Sequence, residues 1–157
     1  MAENLTRAST RHDVDAAPDD HHPLPGPNIL LVEDRESVVR LLAVGFDYMG
    51  LTLNPVFGSG QTLLDHLDTE DLPGVDLFLI DIKLPDIDGV ELLRRLRARG
   101  EKRPAALISA WAPPARKVLQ ELDAIYLAKP FHLPHLAREL RHLAASRSRT
   151  PQAAMSA

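Results

Sequence analysis

The sequence predicts an α/β fold: a doubly wound (βα)5 domain whose five-stranded parallel sheet carries helices on both faces. Between residues 28 and 143, short continuous apolar runs alternate with amphipathic segments of helical spacing. Strict alternation indicates parallel strands, because parallel neighbours need a crossover connection that a helix supplies. At 157 residues, the chain has the length of one ordinary domain.

The five predicted strands are the most apolar stretches of the chain. The first, NILLV at 28–32, has no helical gap, which is typical of a buried strand. The second contains Pro55, which cannot donate to a strand ladder, so we expect this strand at an edge of the sheet. In chain order, the predicted strands are residues 28–32, 51–57, 75–80, 105–108 and 125–128.

The five predicted helices have apolar residues along one side. In the first, these residues recur at helical spacing, and Gly50 follows at a position where helices commonly end. The fourth is short and begins at Pro113, where a missing N–H is tolerated. In chain order, the predicted helices are residues 37–49, 61–67, 90–99, 113–122 and 134–143.

Both ends of the chain differ from this body in composition. Residues 1–27 contain five acidic residues and four prolines but few large aliphatic side chains. Such a segment buries too little apolar surface to offset the entropy of ordering it, so we predict a flexible acidic, proline-rich tail. Residues 144–157 are small and polar, and we predict a second flexible tail there.

Composition excludes several classes of protein. The net charge is −4, from 18 basic and 22 acidic residues, which argues against direct DNA binding through phosphate neutralisation. Cysteine is absent, which excludes disulfides, thiolate metal sites and thiol catalysis. No apolar stretch approaches the ~18 residues that a membrane span needs. We therefore expect a cytoplasmic protein that makes no membrane contact.

Charged and hydroxyl side chains follow four of the predicted strands. The carboxyl ends of parallel strands meet at one edge of the sheet, so these side chains should converge there. Charged groups at such positions are costly unless they share a polar pocket. The converging residues are Glu33 and Asp34 after the first strand, Asp81 after the third, Ser109 after the fourth and Lys129 after the fifth.

This set of residues suits phosphoryl chemistry with a metal ion. Three neighbouring carboxylates repel one another unless a hard divalent cation such as Mg²⁺ lies among them. Beside such an ion, Asp81 could attack phosphorus as a nucleophile. Mg²⁺, the Ser109 hydroxyl and the Lys129 ammonium would offset the negative charge of the phosphoryl group. We expect Gly89 and the loop at 82–88 to form a flexible rim around this site.

Four motifs lie in order on the predicted strands: LLVED at 30–34, LIDIKLPDIDG at 79–89, LISA at 107–110 and AKPF at 128–131. With these motifs, residues 28–143 resemble the receiver domain of two-component response regulators. The resemblance implies a flavodoxin-like receiver fold with strand order 2-1-3-4-5. That order places the second strand at an edge, as Pro55 does independently.

The resemblance also implies roles at the acidic site. Asp81 would accept a phosphoryl group from a histidine of a sensor histidine kinase or a histidine phosphotransfer protein. Glu33, Asp34 and Asp81 would hold Mg²⁺, with the backbone carbonyl of Lys83 as a further ligand. As purely structural alternatives, Glu33 and Asp34 could cap the following helix, and Asp81 could be an ordinary acid at a strand end.

Further residues would stabilise and report the phosphoryl group. The resemblance implies that Lys129 pairs with the phosphoryl oxygens and that the bond between Lys129 and Pro130 is cis. Ser109 would turn inward to bond one oxygen, and Tyr126 would follow from an exposed to a buried rotamer. A plain serine at a strand end and an ordinary core tyrosine are the competing interpretations of these two residues.

Two bulky residues occupy positions that border the path of the hydrolytic water in this family. Lys83 lies two residues after Asp81, and Trp111 lies two residues after Ser109. We hypothesise that they exclude water and make the acyl phosphate long-lived. The short fourth helix departs from the family pattern and leaves the formation of a homodimer open.

The sequence therefore favours a single-domain response regulator over an enzyme. It would catalyse its own phosphorylation with a phosphodonor and lose the phosphoryl group slowly by autodephosphorylation. The signal would be a change in its binding to a downstream protein target. A phosphorelay intermediate that passes the phosphate to another histidine is the first alternative. A Mg²⁺-dependent small-molecule phosphatase is the second, although Lys83 stands where such enzymes carry an acid. The 14 residues after 143 offer too little chain for an output domain.

Overall fold

The computed structural model describes residues 25–147. Strands and helices alternate strictly within this part of the chain. The strands are β1 Asn28–Val32, β2 Thr52–Phe57, β3 Leu77–Asp81, β4 Ala105–Ser109 and β5 Ala124–Ala128. The helices are α1 Glu36–Tyr48, α2 Gly60–Leu67, α3 Gly89–Ala98, α4 Arg116–Glu121 and α5 Leu133–Arg147. None of the helices in this part of the chain is both long and apolar enough to cross a bilayer.

The strands form one parallel sheet in the order β2-β1-β3-β4-β5. This confirms the predicted fold and places β2 at an edge, as Pro55 indicated. The register between β1 and β2 shifts at the proline: Ile29 pairs with Leu53, but Leu31 pairs with Val56. An edge strand with one extra residue tolerates a proline, since the missing N–H leaves no interior ladder bond unmade.

Helices cover both faces of the sheet. Alternate strand residues point to opposite faces, so Leu30 and Val32 pack with α2 and α3, whereas Ile29 and Leu31 pack with α1 and α5. All residues of β3 and β4 are buried. This burial on both faces explains why the sequences of these strands are continuously apolar and do not alternate between apolar and polar residues.

The fourth helix differs most from the prediction. It spans only Arg116–Glu121, whereas we expected residues 113–122. Residues 112–115 are not helical, and Ala115 precedes the helix with φ −56° and ψ 141°. A proline disfavours the helical conformation of the residue before it, so Pro114 holds Pro113 out of the helix. No residue of α4 is fully buried.

Residues just outside the predicted bounds of 28 and 143 also contact the rest of the described chain. At the N-terminal side, Gly26 N donates to Gly50 O at 3.0 Å, and Pro27 O accepts from Thr52 N at 3.2 Å. At the other side, α5 continues through Arg147, and Ala144 packs against the core beyond the predicted end at 143. The remainder of the two predicted tails, residues 1–24 and 148–157, lies outside the described residues.

Candidate functional site

The charged residues predicted at the strand ends converge at the carboxyl edge of the sheet. The Nζ of Lys129 lies 2.7 Å from Oε2 of Glu33 and 2.9 Å from Oδ2 of Asp81. One oxygen from each of Glu33, Asp34 and Asp81 falls within a group whose members all lie within 4.8 Å of one another. Ser109 ends β4 one residue beyond Ile108, which pairs with Asp81.

Burial divides the acidic residues into two kinds. Glu33 and Asp81 are 1% and 3% exposed, whereas Asp34 is exposed to solvent. The three carboxylates and one ammonium leave the site with two more negative than positive charges. Buried carboxylates are tolerated only where cations and hydrogen bonds compensate them. The excess of negative charge and the open side at Asp34 are features that would suit a bound cation.

Opposing effects set the protonation of the buried pair. Burial acts to lower the pKa of Lys129, but its hydrogen bonds and ionic contacts with Asp81 and Glu33 outweigh burial and raise this pKa above its ordinary value. Burial raises the pKa of Glu33, and the hydrogen bond from Lys129 does not fully offset that effect. Lys129 is therefore firmly cationic, while Glu33 holds a proton more readily than an exposed glutamate does.

The Asp81 carboxylate is held from two sides. Its Oδ1 accepts a hydrogen bond from Lys83 N at 3.0 Å, and its Oδ2 accepts from Lys129. The loop after β3 closes on itself beside Asp81, because Gly89 N donates a hydrogen bond to Ile82 O at 2.8 Å. A Cβ at Gly89 would collide with the carbonyl oxygen of Asp81. Glycine therefore allows the loop to close tightly over the site.

Ser109, Trp111 and Tyr126 form a connected group beside the carboxylates. Ser109 is 2% exposed, and its Oγ accepts a hydrogen bond from Trp111 N at 3.0 Å. The Tyr126 hydroxyl donates to the carbonyls of Ser109 and Trp111. Tyr126 is half-buried, between the two positions considered from the sequence. The peptide between Lys129 and Pro130 is cis, as the family resemblance implied.

Lys83 and Trp111, which the sequence analysis singled out separately, meet in space. The Nζ of Lys83 lies 5.9 Å from the centroid of the Trp111 ring, within the range of a cation–π contact. Both residues line a cavity of about 260 Å³ that Ser109 also borders. Trp111 is 68% exposed, so this lining residue also faces solvent.

Comparison with known proteins agrees with this geometry. Residues 29–141 match the family model of the response regulator receiver domain. The chain belongs to the response-regulator receiver family. It is 32% identical over 121 residues to the uncharacterized transcriptional regulatory protein YkoG of Bacillus subtilis, covering 73% of this chain and 49% of YkoG. It is 36% identical over 124 residues to a probable transcriptional regulatory protein of Picosynechococcus, covering 73% and 48%. The chain thus spans about half the length of these relatives.

Solved receiver domains share the fold. A CheY-like receiver domain protein from Methanospirillum hungatei gives a TM-score of 0.67 at 20% identity, covering 80% of this chain and 98% of that chain. The receiver domain of the TMAO respiratory system response regulator TorR gives 0.63 at 31% identity, covering 76% and 98%. Receiver domains are phosphoacceptors rather than enzymes of the usual kind, and this chain carries the receiver fold throughout its described part.

Receiver domains generally bind Mg²⁺ at an acidic pocket, and the groups gathered here fit that ion. Glu33, Asp34 and Asp81 offer only oxygen donors, which a hard divalent cation prefers over nitrogen or sulfur. A divalent cation would neutralise the two excess negative charges. The exposed side at Asp34 leaves room for the water ligands that Mg²⁺ usually retains.

One contact of this receiver domain escaped the sequence analysis. Asp86 belongs to the loop that we expected to be a flexible rim, yet its carboxylate accepts hydrogen bonds from Gly60 N at 3.1 Å and Gln61 N at 2.6 Å. The loop is thereby attached to the start of α2. Aspartate commonly binds helix N-termini, but the helix concerned lies 25 residues away in sequence. The residue type was a signal, although its partner could not be named from the sequence.

Proposed function

We propose that this protein acts as a response regulator and that Asp81 of its receiver domain accepts a phosphoryl group from a phosphohistidine. The donor would be a sensor histidine kinase or a histidine phosphotransfer protein. The observation that supports this most strongly is the position of Asp81: a buried carboxylate at the end of β3, 2.9 Å from the Lys129 ammonium and grouped with two further acids. Belonging to the receiver family supports the same assignment.

In the proposed reaction, a carboxylate oxygen of Asp81 attacks phosphorus and the bond between phosphorus and the donor's imidazole nitrogen breaks. The histidine leaves, and Asp81 carries an acyl phosphate. Lys129 then pairs with a phosphoryl oxygen, exchanging part of its present contact with Asp81 for one with the new group. The raised pKa of Lys129 keeps this partner cationic throughout. Such fixed charges stabilise the transferring group because they need no reorganisation during the reaction.

For the metal, we assign Glu33, Asp34 and Asp81 as side-chain ligands and the backbone carbonyl of Lys83 as a further ligand. When bound, Mg²⁺ supplies compensation for the charge on the phosphoryl oxygens. The chain's own residues are arranged to support this: Arg35 N holds Oε1 of Glu33 at 3.0 Å, and Lys83 N holds Oδ1 of Asp81. Both carboxylates are therefore oriented by backbone groups.

For the switch, we assign Ser109 and Tyr126. If the Ser109 hydroxyl turns toward the phosphoryl group, Trp111 N loses its present acceptor. If Tyr126 then turns inward, the carbonyls of Ser109 and Trp111 lose the phenolic donor. Both movements release the same segment that leads into α4. A downstream protein that binds this surface would distinguish the two forms, which is how we propose that the signal is read.

We further propose that Lys83 and Trp111 slow the loss of the phosphoryl group. The two side chains are in cation–π contact, and both line the cavity that Ser109 borders. In this proposal, the pair hinders the approach of water to the acyl phosphate. A slow loss suits a regulator that must keep its signal until it meets its target. Lys83 itself counts against a phosphatase, because it stands where such enzymes carry a carboxylic acid, and an ammonium is a much weaker acid.

Intact-mass measurement after incubation with a small-molecule phosphodonor tests the proposal. We expect one phosphoryl adduct in the presence of Mg²⁺, little without it, and none on the Asp81→Asn variant. Continuous release of inorganic phosphate from a phosphoester substrate would instead favour the phosphatase. Transfer from the phosphorylated protein to a histidine phosphotransfer protein would favour the relay. Absence of any adduct with folded protein, and with a histidine kinase as donor, would contradict the assignment.

A further inference from the structure

The carboxylate of Asp86 joins two loops that follow different strands. It accepts Gly60 N on Oδ1 and Gln61 N on Oδ2, so both oxygens are bound to the first backbone N–H groups of α2. Slight burial acts to raise the pKa of Asp86, but the hydrogen bonds from Gln61 and Gly60 contribute to holding it below its ordinary value. Asp86 is thus ionised when it binds the positive end of this helix.

A side chain next to Asp86 completes the joint. Ile87 packs against the α2 and α3 side of the core, directly over Gly60. Gly60 is buried, and a Cβ built on it would lie 2.5 Å from Cγ1 of Ile87. The glycine therefore makes room for the isoleucine. A polar contact and an apolar contact, made by consecutive residues, fasten the middle of the loop to the same turn of α2.

The other backbone bonds of this loop do not reach α2. Ile82 N donates to Ile108 O of β4 at 2.9 Å and anchors the start of the loop to the sheet. The rest are local: for example, Lys83 N donates to the Asp81 side chain, Gly89 N to Ile82 O and Val90 N to the Asp88 side chain. Among the described residues, the Asp86 carboxylate supplies the hydrogen bonds that reach from the loop to α2.

We propose that Asp86 is a positioning residue for the divalent cation. By tying the loop to α2, it restrains the stretch of backbone that carries the Lys83 carbonyl. This inference rests on the proposed function, which assigns that carbonyl as a ligand. Groups that orient metal ligands typically change metal affinity by 10- to 100-fold when removed. Asp86 acts through the backbone rather than directly on a ligand, so we expect about 10-fold.

Calorimetric titration of the full chain with MgCl₂ tests this inference. Asp86→Ala should raise the Kd for Mg²⁺ on the order of 10-fold. Asp86→Asn keeps one carbonyl acceptor and should give an intermediate value. Gly60→Ala keeps every charge but displaces Ile87, and it should also weaken Mg²⁺ binding. Because Asp86→Asn keeps the size of the side chain, it carries the test if Asp86→Ala does not fold.

Asp65→Ala is the matched control. Asp65 lies on α2, the helix that Asp86 binds. It is exposed and accepts a hydrogen bond from the Gln61 side chain at 2.7 Å, so its removal costs the same charge near that helix. Its Kd should stay close to that of the wild type, because exposed charges are screened by salt. If Asp65→Ala and Asp86→Ala weaken Mg²⁺ binding equally, the loss of one negative charge explains the effect, and the inference is overturned.

Two further outcomes separate this inference from the proposed function. If the wild-type protein binds Mg²⁺ and becomes phosphorylated, but Asp86→Ala binds Mg²⁺ equally well, the inference alone is overturned. If the wild-type protein binds no Mg²⁺, both fail together. Thermal unfolding of the metal-free variants provides the structural readout: a residue with a merely structural role would lower the melting temperature and leave the Kd of the folded protein unchanged.

Discussion

The Nζ of Lys129 lies 2.7 Å from Oε2 of Glu33, although the two residues are 96 positions apart in the chain. Glu33 follows β1 and Lys129 follows β5, and these strands are separated in the sheet by β3 and β4. The ion pair therefore reaches across the carboxyl edge of the sheet, and the same ammonium also bonds Asp81 at the end of β3. It compensates two buried carboxylates, so its removal should affect the metal-free domain.

Lys129→Ala should lower the free energy of unfolding by about 3 kcal/mol in metal-free solution, because it leaves buried carboxylates without their cation. Urea denaturation with a chelator present measures this loss. Added Mg²⁺ should restore part of it by compensating the same carboxylates. Lys117→Ala is the control. Lys117 is exposed, and its Nζ lies 3.8 Å from Oε1 of Glu121, so this surface ion pair should contribute little to stability. Equal losses in both variants would contradict the importance of the buried ammonium.

The stability of the metal-free protein should depend on pH through Glu33. Burial raises the pKa of this carboxyl above its ordinary value of 4.5. From pH 4.5 up to the folded-state pKa, the folded protein holds a proton that the unfolded chain has lost. The stability contributed by Glu33 is therefore lost as the pH rises through this window. Glu33→Gln cannot ionise and should flatten the dependence, which denaturation curves at several pH values would reveal. Identical slopes would argue against a raised pKa.

Removing the Trp111 ring should shorten the lifetime of the phosphorylated form. Trp111→Ala removes the cation–π contact with Lys83, which at an exposed site is worth about 0.5–1 kcal/mol. If that energy holds the Trp111 ring in the position that hinders water, losing it should raise the rate of dephosphorylation by about 2- to 5-fold. Loss of the phosphoryl adduct followed by mass spectrometry measures the rate. Trp111→Phe keeps a ring face and should retain most of the protection. An unchanged rate in Trp111→Ala would refute the gating role.

Trp111 is the only tryptophan, so its fluorescence should report the switch. Phosphorylation should change the emission of the wild type as Trp111 N loses the Ser109 hydroxyl. Tyr126→Phe removes the donor to the Trp111 carbonyl, so the unphosphorylated variant should already emit more like the phosphorylated wild type. Ser109→Ala should reduce the response because it cannot bond the phosphoryl group. A full response in both variants would contradict the assignment of Ser109 and Tyr126.

The sheet and the convergence of its charged residues were predictable because they follow from the pattern along each strand. Continuous apolar runs identify strands buried on both sides, and Pro55 identifies the edge. Parallel strands then bring Glu33, Asp81 and Lys129 to one edge whatever the details of the loops. Which of these residues become neighbours also depends on the strand order, which the resemblance to receiver domains implied and the apolar pattern alone did not.

Contacts between loops were not predictable in the same way. Asp86 reaches α2, and Lys83 reaches Trp111, only because the loops after β2, β3 and β4 take particular paths. Those paths depend on the packing of Ile87 over Gly60 and on the extended segment before α4. The early start predicted for α4 failed for a local reason: two consecutive prolines hold the first of them out of the helix.

The most direct test of the phosphoacceptor assignment is to locate the acyl phosphate. Borohydride reduces an aspartyl phosphate to homoserine, so the modified position can be identified by peptide mass spectrometry after digestion. We predict that phosphorylation in the presence of Mg²⁺, followed by reduction, converts Asp81 and no other acidic residue. Conversion of Asp34 or Glu33 with Asp81 intact, or a borohydride-resistant phosphate on Ser109, would contradict the account.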